Sequence, residues 1–132
     1  MTAKRNNSGK VELSKVPTVA LYEEAKVYMY GAEKYENGGV PLGQENWRKL
    51  WGDQTYKVCL DSALRHLTCL ANNELFDDES GLAHAAHVRA NMAFILEHMR
   101  NEQLIQPTVY KSKVSEEATE KRNITCLVGS KL

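Results

Sequence analysis

The stretch SGLAHAAHVRANMAFILEHMR, residues 80–100, decides how this chain is read. Ser80 is a good N-cap, and an uninterrupted run without Pro follows it, so the sequence predicts a helix from Gly81 to about Met99. Laid out at about 100° per residue, Arg89, Glu97 and Arg100 fall within an arc of roughly 80°. That arc, which also takes in the small Ala86 and Ala93, is the expected solvent side. Opposite it lie His84, His87, Asn91, Ile95 and His98. Three histidines and an asparagine therefore point inward, where an unsatisfied polar group is costly. Two explanations stand side by side. These side chains hydrogen-bond to neighbouring helices and specify packing, or His84, His87 and Asn91 line a ligand site that takes a metal or phosphate oxygens. His98, at the far end, is expected to be structural.

Two further helices are expected upstream. The first begins at Ser14 or Thr18, with Pro17 tolerable only in its first turn, and ends at Tyr35; Leu21, Ala25, Tyr28 and Ala32 mark its expected buried face. Glu24 borders that face and is the carboxylate there best able to reach an interior site, against the alternative of a solvated flank. The second runs from about Thr55 to Asn72 with an apolar stripe of Tyr56, Cys59, Leu60, Ala63, Leu64, Leu67 and Leu70. Asp61 and Arg65 project away from that stripe, as a surface ion pair unless something covers them, and His66 sits at its margin.

Between the first two helices, Glu36–Gly52 reads as a long loop, rich in Gly and holding Pro41, with Trp47 and Trp51 near its end. Loops of that length are more often functional than idle. The acidic connection 73–79 brings Asp77 and Glu79 one turn from His84, as helix-capping groups or as oxygen ligands for a divalent cation. Residues 1–13 read as a flexible N-terminus, 14–106 as the helical domain, and 107–132 as a tail or arm in which Ile124–Val128 is the one apolar stretch. Three such helices bury little surface alone, so a small all-α bundle completed by oligomerisation is expected.

Composition narrows the function classes. The chain has 132 residues with 17 Lys+Arg against 17 Asp+Glu, and this balance argues against a phosphate-gripping nucleic-acid binder. No apolar run reaches the roughly 20 residues of a membrane span, and the polar, basic first ten residues do not read as a secretory signal. Cys59, Cys69 and Cys126 are odd in number and lack C-x-x-C spacing, so a reduced, cytoplasmic setting without disulfides or structural zinc is expected. P-loop, dinucleotide, G-x-S-x-G and H-E-x-x-H signatures are missing.

The ordered set GAEKY (31–35), NWRK (46–49), ALRHL (63–67), DDESGLAHAAH (77–87) and NMAFILE (91–97) resembles the phage dATP/dGTP pyrophosphohydrolase family, a branch of the all-α MazG-like NTP pyrophosphohydrolases. The resemblance covers roughly residues 18–99. It implies a homodimer or homotetramer that splits purine deoxynucleoside triphosphates, dGTP and also dATP, into monophosphate and pyrophosphate. It further implies Mg²⁺ or Mn²⁺, with two or more ions per site, and a role in the nucleotide pool of an infected host's cytoplasm. One departure stands out. MazG-like enzymes hold metal with E-x-x-E and E-x-x-D helices, whereas here His84, His87 and Asn91 occupy part of that place.

The residues suit such chemistry. Glu24, Asp61, Asp77 and Glu79 are the candidate metal ligands, because hydrolysis of a polyanion needs cations to offset charge and activate water. His66, His84, His87 and Arg65 are the candidate catalytic groups, able to orient water, bind metal or protonate a leaving pyrophosphate. Lys34 and Arg48 can neutralise phosphate oxygens, Tyr35 and Trp47 can stack on a base, and Asn46 and Asn91 can contact substrate through donor and acceptor atoms. Two rival readings are a phosphohydrolase releasing orthophosphate from another nucleotide, and a non-catalytic helical oligomerisation or binding module.

Overall fold

The computed structural model describes residues 3–6, 9–35, 46–49 and 54–105. The chain divides into two compact units, Ser14–Gln106 and a second made of Met1–Leu13 with Pro107–Leu132. The helices α1 (Thr18–Lys34), α2 (Thr55–Ala71) and α3 (His84–Asn101) all lie in the first of these. Among the described residues the class is all-α; the one β-bridge, Phe76 to Ala83, is isolated. The Trp47 region forms a short 3₁₀ turn, Asn46–Lys49, inside the segment expected to be loop. The rest of that segment, including Trp51, lies outside the described residues, as do the 107–132 tail and Cys126.

Each helix boundary has a local cause. Pro17 caps α1, where its missing N–H costs nothing, and its carbonyl accepts from Leu21 at 3.1 Å. At the end of α2, Asn73 takes the left-handed conformation (φ 65°), its N–H bonds to the Leu70 carbonyl, and the Glu74 N–H reaches back to that of Cys69. This is a Schellman cap with Asn in the position usually given to Gly. The chain then makes a tight hairpin. Asp77 N–H donates to the Leu82 carbonyl at 2.8 Å and His84 N–H to the Leu75 carbonyl at 2.9 Å.

These hairpin bonds delay α3, which begins at His84 and not at Gly81. Ser80 does not cap it; Ala83 holds the N-cap position in an extended conformation. Gly81 turns the hairpin at φ +73°, with its N–H on the Asp77 carbonyl, and an added Cβ would meet nothing within 4 Å. Gly81→Ala should therefore cost about 1 kcal/mol, purely from the left-handed backbone, measurable as a small fall in the denaturation midpoint without loss of fold.

The helix α3 packs chiefly on α2 and less extensively on α1. Residue numbers fall along α3 as they rise along α2: Ser62 meets Asn91, and His66 meets His84 and His87, so the two run antiparallel. Small side chains allow this approach. Cys59, Ala63, Ala86 and Ala90 are each no more than 3% exposed, and Val27 of α1 packs on Ala86 and Ala90 with Tyr28 and Phe94 at the flank.

Three expected faces are rotated in consequence. On α1 the buried residue is Val27, while Leu21 and Ala25 are exposed and Tyr28 and Ala32 are half-buried. On α2, Cys59 and Ala63 are buried, but Tyr56, Leu64 and Leu67 are exposed. On α3, Ala86 is buried and Arg89 is not a solvent residue: its Nε donates to Glu24 Oε1 at 2.9 Å, tying α3 to α1. The inward placement of His84, His87 and Ile95 agrees with the pattern; each is less than 9% exposed.

Candidate functional site

Where α2 and α3 converge on the 74–83 hairpin, four titratable side chains meet. His66 comes from the outer edge of the α2 face, His84 and His87 from the first turn of α3, and Asp77 from the hairpin. The rings of His66 and His87 stack at 4.3 Å between centroids, 4° from parallel. His66 Nδ1 lies 2.8 Å from His84 Nδ1, so one ring supplies the hydrogen and the other accepts it. Ser80 Oγ sits 2.8 Å from His87 Nε2, and Asp77 Oδ2 lies 3.9 Å from that same nitrogen.

Asp77 is held in place by the hairpin, since its Oδ2 accepts the Ser80 N–H at 2.8 Å. Burial acts to raise the Asp77 pKa, but the Ser80 N–H and hydroxyl, with the nearby His87 and His66, outweigh it and hold the carboxyl below its ordinary value. Burial is the main cause that lowers both His66 and His87; neighbouring imidazoles add to it, and Asp77 opposes it. Both rings are therefore neutral at pH 7, with lone pairs available.

A histidine whose folded pKa lies below the ordinary 6.5 contributes stability that is fully present above 6.5 and is lost as pH falls below it. Asp77 contributes above its ordinary 3.8 and loses that contribution as pH falls through its lowered folded value. Thermal melts without metal should be flat from pH 8 to about pH 7 and fall on further acidification; a stability maximum near pH 5 would contradict the neutral rings.

His66, Asp77 and His84 each offer one ligand atom, and these atoms lie within 4.8 Å of one another, so this trio could hold a metal ion. Cys69, Glu74 and His84 form a second such set that shares His84. The residues singled out in the sequence are distributed unevenly around this centre, whose His66, Asp77 and His87 line a cleft of about 380 Å³. Lys34, Tyr35, Trp47, Arg65, His66, Asp77, Glu79, His87 and Asn91 all line that cleft. Lys34 and Glu79 pair with each other at 2.8 Å across its polar end.

Other candidates lie elsewhere. Glu24 faces Arg89 and the Tyr28 hydroxyl, which donates to it, so its carboxylate serves the α1–α3 contact. Asp61 is exposed on α2, outside the cleft lining. Arg48 lies over the Trp47 ring at 4.2 Å. The Asn46 side chain lies outside the described residues. Sequence reasoning passed over Ser62, Ser80 and Phe94. Ser62 is one turn before His66 on the same helix, a spacing that could have drawn notice; Ser80 was read as a cap, and Phe94 carried no signal beyond its apolar character.

A family model described as dATP/dGTP diphosphohydrolase, N-terminal, matches residues 1–108. The chain belongs to this family. A relative from Salmonella phage PMBT28, named dATP/dGTP diphosphohydrolase, is 33% identical over 101 residues, which make up 76% of this chain and 31% of the relative. The chain thus spans less than a third of that relative's length. No solved structure matches it. The dATP/dGTP diphosphohydrolase match takes in all three helices and the whole hairpin, so the histidine–aspartate centre lies within the part shared with the family.

Proposed function

We propose that this chain is a metal-dependent pyrophosphohydrolase acting on purine deoxynucleoside triphosphates, dGTP and dATP, and yielding monophosphate and pyrophosphate in the cytoplasm of an infected host. The observation that carries the reading is the His66–Asp77–His84 donor set, of which His66 and Asp77 line a cleft that also bears Lys34 and Arg65. The phage relative's name supplies the substrate class.

Two imidazole nitrogens and one carboxylate oxygen suit Mn²⁺ better than Mg²⁺, which favours oxygen ligands throughout. Such an ion, or more than one, would offset phosphate charge and lower the pKa of an attacking water. The chain's own groups complete the chemistry. Lys34 and Arg65 place positive charge where a polyphosphate would lie. His87, neutral and held by Ser80, can take a proton from water at its ring or, once charged, return one to the leaving pyrophosphate. Asp77 fixes the hairpin against that ring.

No helix among the described residues is long and apolar enough to cross a membrane. Assembly as a homodimer or homotetramer is part of the proposal, supported by the exposed Leu64 and Leu67 on α2, and a solution mass of two or four chains is the expected result. The activity is tested by incubating the pure protein with each dNTP and rNTP in Mg²⁺ or Mn²⁺ and resolving the products. Monophosphate with pyrophosphate supports the proposal. Orthophosphate release would shift the site to the rival phosphohydrolase chemistry, and no turnover in a folded, metal-replete sample would leave a binding module.

A further inference from the structure

The face of α3 that lines the cleft changes character along its length. His87 lies at one end, beside His66 and Asp77; Asn91 follows one turn on, and Phe94 one turn beyond that. From His84 to Phe94 is ten residues, about 15 Å at 1.5 Å per residue. Around Phe94 the wall is aromatic: Trp47 stacks on Phe94 with centroids 5.5 Å apart, and Tyr28 tilts against both.

Asn91 stands between the two ends with its amide orientation fixed by chemistry. Its Nδ2 lies 2.9 Å from the His87 carbonyl oxygen, which can only accept, so the nitrogen must face it. The second Nδ2 hydrogen reaches Ser62 Oγ at 3.2 Å. Both donors are spent, and the oxygen Oδ1 remains as an acceptor. Ser62 Oγ, having accepted from Asn91, keeps its own O–H as a donor, and it too lines the cleft. A fixed acceptor beside a rotatable donor, one turn from an aromatic wall, is the chemistry that reads the edge of a flat heterocycle.

We propose that Asn91 and Ser62 form a nucleobase subsite in which Asn91 Oδ1 accepts an N–H from the edge of the base while its ring lies against the Trp47–Phe94 wall. This deepens the nucleotide reading above and rests on it. Adenine offers an amino N–H and guanine a ring N–H on the edge concerned, so both purines can satisfy the acceptor.

The test is equilibrium binding of non-hydrolysable triphosphates by calorimetry, a readout that does not depend on turnover. Removing the amino group from the dATP analogue, or methylating the ring N–H of the dGTP analogue, should weaken binding to the wild-type protein roughly tenfold, the usual worth of one such bond. In Asn91→Leu the two members of each pair should bind alike, because the acceptor is gone. Ser62→Ala, which keeps the Asn91 bond to the His87 carbonyl, should retain the discrimination. Equal binding of each pair by the wild-type protein would overturn the subsite, as would discrimination that survives in Asn91→Leu. Tight, discriminating binding without hydrolysis would sink the pyrophosphohydrolase reading and leave the subsite standing.

Discussion

Replacing His84 or His66 with Gln should lower Mn²⁺ affinity by at least about a hundredfold and remove nucleotide hydrolysis with it. Loss of an outer-shell partner alone commonly costs a metal site 10–100-fold, and each of these residues supplies one of only three ligand atoms. The glutamine keeps a polar side chain of similar size in the place of a ring that is 4% exposed at His84, so the helix should remain folded. His87→Gln is the informative contrast. His87 is outside the donor trio and bonds to Ser80, so its loss should spare Mn²⁺ binding while depressing turnover. Calorimetric titration with Mn²⁺, beside a pyrophosphate-release assay, separates the two cases. Wild-type Mn²⁺ affinity in His66→Gln would dismiss the trio as the metal centre.

The inward stripe of α3 was legible in the sequence because histidine is informative wherever a helical wheel turns it from solvent, and His84 and His87 are indeed buried. The spans of α1 and α2 were legible too, since the expected bounds Thr18 to Tyr35 and Thr55 to Asn72 lie within one residue of the observed ends. What the wheel could not give was the rotation of each helix about its axis. Apolar stripes name a preferred face, but the close α2–α3 contact is made by Cys59, Ala63, Ala86 and Ala90, whose small size permits approach while their hydrophobic signal is weak. The larger Leu64 and Leu67 therefore stay outside. The polar partners were hidden for a different reason. Arg89 to Glu24, Asn91 to Ser62 and Ser80 to His87 depend on how three helices and a hairpin dock, and no local pattern encodes that. The hairpin itself could not be read from Ser80 and Gly81, since a good capping residue serves a tight turn equally well.

Ala90→Leu should lower stability by about 1–3 kcal/mol and the melting temperature by roughly 4–8 °C for each of those kcal/mol. Ala90 has no exposed surface, and Val27, Tyr28 and Phe94 pack around it. Ala90 also borders the cleft, so the three added carbons must either fill the cleft beside Asn91 or push α3 away from its neighbours. Helix propensity does not confuse the result, because Leu is nearly as good a helix former as Ala. Ala85→Leu, on the exposed side of the same helix, supplies the control and should leave the midpoint within about 0.5 kcal/mol of wild type. The two variants also test whether packing and chemistry are joined. Ala90 precedes Asn91 and lies one turn past His87, so a displaced α3 would carry both away from Ser62 and His66. Ala90→Leu should consequently weaken Mn²⁺ binding even at temperatures where the protein stays folded, while Ala85→Leu should not. A destabilised Ala90→Leu that binds Mn²⁺ as tightly as wild type would show that the hairpin and α2 hold the centre without help from the rest of α3.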